Sequence, residues 1–288
     1  MNKKMIWRFS GREMTFEKIR IMGILNVTPD SFSDGGEFFS KRKAVERALQ
    51  MEEEGADLID IGGESTRPGA RPVSEEEELE RVLPVVTELC LRTSLPISID
   101  TTKSRVAEAC LHAGAHIIND VSGLDAFHAM APLARQFEAG LILMHRRGTP
   151  ETMQRLAHYD DVVEEVFREL DQAFQETGQT GLNPEQVVLD PGIGFSKTAP
   201  HNLEILNHLD RFHSWGRPIL VGPSRKSFIG NLTGKEPLHR DWGTAAAVAL
   251  AAARGANILR VHHVAAMADV VKVAQSIIEQ GGPLHVRS

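Results

Sequence analysis

Three observations predict an α/β chain: a single-domain (β/α)8 TIM barrel over residues 1–288, with an N-terminal β-hairpin over 1–18 closing the bottom. First, eight short runs, at 21–25, 58–61, 97–99, 116–118, 141–144, 187–189, 219–221 and 258–261, are apolar without alternation. Parallel strands buried on both faces read that way. Second, amphipathic helical stretches separate the runs. Third, polar residues stand at their carboxyl ends, where a barrel collects its functional side chains. A doubly wound sheet is the alternative for the same alternation.

The elements follow in order. Ile6-Trp7-Arg8-Phe9 and Met14-Thr15-Phe16, split by Ser10-Gly11-Arg12-Glu13, predict a small hairpin at the amino-terminal mouth. Ala44, Val45, Ala48 and Leu49 form the first helical stripe, closed by Gly55. Ser74 with Glu77 reads as a capping box ahead of Leu79, Val82, Leu83 and Val86, with Pro84 expected to kink that helix. Val106, Ala109 and Cys110 make another stripe, ended by Gly114, and Val270, Val271, Ala274, Ile277 and Ile278 make the last. Residues 146–186 are long for a connection and predict an extra helical turn.

Composition narrows the function. The chain has 288 residues, 42% hydrophobic and 25% charged, which is ordinary for a globular protein with a large core. A formal charge of −7 argues against nonspecific nucleic-acid binding, so any anion must be held by a local cluster of cations. Cys90 and Cys110 sit in apolar helical patterns and read as core thiols; neither zinc spacing nor a disulfide framework is present. No apolar run approaches the about 18 residues of a membrane span and no signal-peptide pattern opens the chain, so a cytoplasmic setting is expected.

At the strand ends stand Asn26, Asp60 with Gly62, Asp100, Asn119, Met144 with His145, Asp190, Gly222, and Arg260 with His262. A single Asp after a strand is an ordinary cap or turn former. A ring of acids and amides exceeds what turns require. Asp100, Asp190 and Asn119 can read a flat heterocycle with an amidine-like edge, because a carboxylate accepts two parallel N–H bonds. Lys226 can reach a ring carbonyl or nitrogen. Arg67, Arg260 and His262, near Asn26 and Thr66, suit a diphosphate, and Ser224-Arg225-Lys226-Ser227 opens a short helix after Gly222. Taken singly, Lys226 reads as a surface cation, Met144 as core, His145 as a loop anchor, and Trp7, Trp215 and Trp242 as structural residues. Asp60, Glu64 and Asp120 stay outside the ligand shell in this reading.

Two long motifs carry a family resemblance: Gly23-Ile24-Leu25-Asn26-Val27-Thr28-Pro29-Asp30-Ser31-Phe32-Ser33-Asp34-Gly35-Gly36, and Asp60-Ile61-Gly62-Gly63-Glu64-Ser65-Thr66-Arg67-Pro68-Gly69-Ala70. Ser98-Ile99-Asp100-Thr101, Asn119-Asp120, Met144-His145, Asp190-Pro191-Gly192-Ile193-Gly194-Phe195, Ser224-Arg225-Lys226-Ser227 and Arg260-Val261-His262 join them in order. From residue 21 to residue 278 the chain resembles the dihydropteroate synthase family, whose members condense 6-hydroxymethyl-7,8-dihydropterin diphosphate with p-aminobenzoate in folate synthesis. The resemblance implies that Asp100, Asn119, Met144, Asp190 and Lys226 hold the pterin. It implies that Asn26, Thr66, Arg67, Arg260 and His262 take the diphosphate, with Asn26 also on Mg2+. Phe32, Pro68, Phe195 and Ser227 are implied around p-aminobenzoate, and Asp34, Arg67, Asp100 and Lys226 as catalytic. A homodimer through the late helices is expected on the same ground.

The implied reaction needs no strong general base, since an arylamine is already neutral near pH 7. Loss of diphosphate from the pterin methylene, with carbocation character, is the difficult step, and it calls for electrostatic preorganisation. Ser196 departs from the family's usual glycine and is expected to tune the arylamine pocket. His263 stands where an Asp is common and, as a neighbour in extended chain, points away from His262. The alternatives are a methyltetrahydrofolate-type methyltransferase domain, which needs no diphosphate cations, and a noncatalytic pterin-binding paralogue. A Schiff-base aldolase and a metal-dependent hydrolase fit less well, for Lys226 begins a helix among cations and strand one ends Asn-Val-Thr.

Overall fold

A computed structural model describes residues 5–28, 36–65, 70, 72–123 and 127–281, with residues 36–40, 127 and 281 as backbone only. β1 (Ile6–Phe9) and β2 (Arg12–Thr15) form an antiparallel hairpin. Phe9 pairs with Arg12, so the turn is the two residues Ser10-Gly11, tighter than the four expected, and both have positive φ, 47° and 71°.

Eight parallel strands follow: β3 (Arg20–Asn26), β4 (Leu58–Gly62), β5 (Ile97–Asp100), β6 (Ile117–Asp120), β7 (Gly140–Met144), β8 (Val187–Asp190), β9 (Leu220–Val221) and β10 (Ile258–Val261). Their order is β8-β7-β6-β5-β4-β3-β10-β9, and a parallel bridge from Leu189 to Ile219 closes the ring between β8 and β9. The (β/α)8 barrel expected from the apolar runs is therefore the fold. Several strands run one residue beyond their apolar run, so that Asn26, Asp100 and Asp190 are the last paired residues rather than loop residues. Each is fixed to the rim of the barrel by ladder hydrogen bonds.

The surrounding helices are α1 (Gly36–Glu53), α2 (Glu75–Arg92), α3 (Ser104–His112), α4 (Phe127–Gln136), α5 (Val162–Gln179), α6 (Ala199–Asn207), α7 (Ser227–Thr233), α8 (Asp241–Ala253) and α9 (Val264–Gly281). The extra turn expected within 146–186 is a 3-10 segment at Met153–Leu156. Ser74 caps α2 by accepting the Glu77 amide at 3.1 Å, but the Glu77 carboxylate turns to Arg81 instead of completing a capping box. α2 runs through Pro84 without ending there. Cys110 is buried, while Cys90 is only half-buried against the core.

The hairpin plugs the amino-terminal mouth. Trp7, 0% exposed, clusters with Met22, Leu58, Ile117, Ile142, Val188, Leu220 and Ile258, one inward residue from each of seven barrel strands. Its indole donates to the carbonyl of Gln186 at 2.8 Å. Gly140 makes room for the ring: a Cβ there would come within 2.9 Å of the indole. Among the described residues this apolar stopper fills one mouth of the barrel, and the strand-end mouth opposite is the one with a cavity.

Candidate active site

The open mouth holds a cavity of about 510 Å³. Among the described residues it is lined by Asn26, Asp100, Phe195, Lys226, Ser227, Arg260 and His262 of those nominated from sequence, joined by Glu64, Ser224 and Arg240. Asn119, Met144 and Asp190 lie in the same rim but are more deeply buried. Register accounts for their proximity: Asp100 pairs with Asn119, and Met144 with Asp190. Asp34, Phe32, Thr66, Arg67 and Pro68 fall outside the described residues.

Asp60, at 0% exposure, organises the ring. Its Oδ2 accepts the Asn119 amide at 2.9 Å and Arg260 Nε at 2.6 Å. Arg260 then reaches Asp100 Oδ2 at 2.5 Å. The expectation of Arg260 in a cationic set separate from the acids is corrected here: it bridges two of them. Asp100 Oδ1 has no hydrogen-bond partner among the described residues, a buried acceptor that suits a ligand N–H.

Burial sets the protonation of these acids. It pushes the Asp100 carboxyl up to about 7, with the neighbouring Arg260 acting against the rise and Asp60 and Glu78 adding to it. It pushes Asp190 up to about 6, opposed by the Gly192 amide, by Lys226 and Lys197, and by Arg260. That amide donates to Asp190 Oδ1 at 2.7 Å. Lys226 stands over the Phe195 ring, its Nζ 3.9 Å from the centroid, so an apolar wall and a cation form one surface. Phe195 in turn packs with Met144, Val121 and Met153. His262 Nδ1 lies 2.9 Å from the Ser224 hydroxyl, which ties the ends of β9 and β10 together.

Other candidates separate into supports. The Asp120 carboxylate accepts the Ser122 amide at 2.9 Å and shapes the loop after β6. His145 is an anchor: fully buried, it sits between Lys197 and Glu169. Ser196 does not line the cavity; it is 0% exposed with φ 46°, the left-handed backbone that explains why glycine suits this position. Its hydroxyl accepts the Arg147 amide at 3.1 Å, and its carbonyl accepts the Tyr159 hydroxyl at 3.0 Å. His263 turns outward to Asp241, 2.9 Å away.

The sequence marks Asp60 as a strand-end acid but sets it outside the ligand shell; its bonds to Asn119 and Arg260 arise only when the barrel brings β6 and β10 near β4. Glu64 was set outside the shell in the same way. Its carboxylate accepts Lys103 Nζ at 2.6 Å and the Val73 amide at 3.0 Å, and Lys103 also reaches the buried Glu78.

The family model for pterin binding enzymes matches residues 22–262. A dihydropteroate synthase of Synechocystis is 49% identical over 89% of this chain and 89% of its own, and that of Escherichia coli K12 is 45% identical over 93% and 95%. This chain belongs to the dihydropteroate synthase family. Among solved structures of the family, the Xanthomonas albilineans dihydropteroate synthase with 4-aminobenzoic acid is 46% identical, covers 96% of this chain and 99% of its own, and superposes with a TM-score of 0.88. The same organism's enzyme in complex with 7,8-dihydropteroate is 44% identical over 96% and 100%, at a TM-score of 0.85.

Proposed function

We propose that the rim of strand ends is where this chain, a transferase of folate biosynthesis, condenses 6-hydroxymethyl-7,8-dihydropterin diphosphate with p-aminobenzoate. The products are 7,8-dihydropteroate and diphosphate. The observation that carries the assignment is the Asp60–Asn119–Arg260–Asp100 network, which leaves Oδ1 of Asp100, a cavity-lining residue, buried and unmatched among the described residues. Asp100 and Asp190 accept the N–H edge of the pterin, Asn119 contributes its amide oxygen, Met144 packs on the ring face, and Lys226 donates to a ring acceptor. Asn26, Arg260 and His262, with Thr66 and Arg67, receive the diphosphate. Phe195 and Ser227, with Phe32 and Pro68, form the p-aminobenzoate pocket, and Asp34, Arg67, Asp100 and Lys226 act closest to the chemistry.

The C–O bond from the pterin methylene to diphosphate breaks as positive charge spreads into the ring, facing two carboxylates. The neutral amine nitrogen then forms the C–N bond and gives up a proton to solvent or to the departing diphosphate. Fixed charges aimed at developing charge supply the rate enhancement.

The residues present fit a magnesium ion. Asn26 offers an amide oxygen at the cavity, and among the described residues no cluster of three or more acids, histidines and cysteines is built to hold a metal alone. Mg2+ is commonly held by one or two protein oxygens together with substrate phosphates and water. Asn26 would hold the ion there, and the charge it would supply would offset that of the leaving group.

The same reading takes residues 1–288 as one domain, working as a cytoplasmic homodimer. Exposed Trp242 and Leu250 on α8, with Val273 and Ile277 on α9, support an association surface. Among the described residues no helix is long and apolar enough to cross a membrane.

The test is diphosphate release from the purified chain with the pterin diphosphate and Mg2+, with and without p-aminobenzoate. Release coupled to dihydropteroate formation is expected. Tight pterin binding without product would return the noncatalytic paralogue.

A further inference from the structure

Lys197 is 3% exposed, does not line the cavity, and has no place in the reaction as derived above. Its Nζ lies 2.9 Å from His145 Nδ1, 3.0 Å from the carbonyl oxygen of Phe195 and 3.5 Å from that of His145. Burial holds the His145 imidazole neutral, pulling it down to about 4. Its Nε2–H donates to Glu169 Oε2 at 3.1 Å, which leaves the Nδ1 lone pair for the ammonium. The three hydrogens of Lys197 thus meet three acceptors, and none of them is a carboxylate.

The charge is buried beside the turn that carries Asp190. A Cβ on Gly192 would lie 3.3 Å from Lys197 Nζ, and the amide of that same glycine is the one that binds Asp190 Oδ1. Of the surrounding acids, Asp190 supports the Lys197 charge most, ahead of Glu169; Arg147 and Lys226 oppose it. In the other direction Lys197 joins Lys226 and Arg260 in favouring the ionised carboxylate.

We propose that Lys197 is a positioning residue for pterin binding: an internal counter-charge, clamped by Phe195 and His145, that keeps Asp190 ionised beneath the ligand. The inference rests on the assignment of Asp190 to the pterin. Burial brings Lys197 down to about 7 and Asp190 up to about 6, so each charge offsets part of the other's desolvation. Arg147, paired with Glu165 and Glu169 of α5, and His201 of α6 also face this region, with the Tyr159 hydroxyl bound to the Ser196 carbonyl between them. Without the ammonium, Asp190 keeps Lys226 and Arg260 but meets its burial with one cation fewer. It then holds its proton to higher pH, and a carboxyl with a hydrogen on one oxygen no longer offers two equivalent acceptor oxygens to parallel N–H donors.

The experiment is binding of 6-hydroxymethylpterin to the full chain, followed by pterin fluorescence from about pH 5 to about pH 8, bracketing the two acids. Lys197→Met keeps the stem and removes the charge. Its acid limb is expected to move up by about one pH unit, a change of the size that one nearby charge produces, with affinity at the alkaline end nearly preserved. Asp100 contributes a limb common to both proteins, so the difference isolates Asp190. Affinity lowered equally at every pH, with the limb in place, would overturn the inference and leave Lys197 a purely structural role. Glu169→Gln, a partly exposed change, weakens the support of the Lys197 charge and is expected to shift the limb in the same direction by less. If Lys197→Met does not fold, an unmoved limb in Glu169→Gln overturns the proposal. Asp190→Asn separates the two ideas: wild-type pterin affinity in that variant would sink the Asp190 assignment itself.

Discussion

Asn119 donates its side-chain amide hydrogen to Asp60 Oδ2 across 2.9 Å, and that bond decides how the amide can face a ligand. One amide hydrogen is committed to Asp60, which fixes the orientation of the amide and leaves its carbonyl oxygen and second hydrogen to present. Asp60→Ala is expected to release both Asn119 and Arg260, since both use the same carboxylate oxygen. Loss of hydrogen bonds to a buried charge costs about 1.5–3 kcal/mol each, so pterin affinity should fall by about tenfold or more. Titration calorimetry with a pterin checks this, and unchanged affinity would separate Asp60 from the site.

The reaction should show an acid limb near neutrality. Asp100 and Asp190 are needed as carboxylates, and burial raises them to about 7 and about 6. Activity therefore rises with pH through that window and falls below it. Folding runs the other way. A carboxyl raised in the folded state stabilises below its unfolded pKa, and that contribution is lost as pH rises through its folded value. Bound pterin should consequently raise the melting temperature more at pH 8 than at about pH 5, as calorimetry at the two values would show.

Phe195→Ala removes the ring beneath Lys226 and the wall against Met144. A rise in KM for p-aminobenzoate of about tenfold is expected, the scale of one lost aromatic contact. Steady-state kinetics with each substrate varied would check it; an effect confined to the pterin substrate would move Phe195 to the other pocket.

Chelation of Mg2+ should slow diphosphate release far more than it weakens binding of a pterin lacking the diphosphate. Asn26 and Arg260 line the cavity, and the proposed reaction assigns them to the leaving group and Asp100, Asn119 and Asp190 to the pterin. Equal losses in both measurements would contradict that division.

Trp7→Ala tests the stopper. Loss of a fully buried aromatic costs about 3–5 kcal/mol, and the seven inward residues around it would face a void. A large fall in denaturation midpoint with kcat little changed is the expected result.

The barrel was legible because parallel strands buried on both faces leave unbroken apolar runs, and because acids and amides cannot end so many of them by chance. That rule nominated Asp60, Asp100, Asn119 and Asp190 together, with Asp60 kept outside the ligand shell, and it gave no signal for Lys197. The link from Asp60 to Arg260 was not legible, because the two are remote in sequence and adjacent only once β3 has brought β4 and β10 to its two sides. Lys197 lies in a loop, where a lysine is ordinary; only its burial against His145 and Phe195 marks it. The capping box failed for a comparable reason, because Arg81 one turn further along α2 offered Glu77 a stronger partner.

The ladder joining β3 to β10 sets a condition on biosynthesis. The strand that brings Arg260 to Asp60 and Asp100 is the last of the barrel, at Ile258–Val261, and everything before it leaves the ribosome first. A nascent chain can hold its earlier strands in order and still lack the arginine that organises the acids. A ligand that needs that arrangement can therefore stabilise only chains that extend through β10.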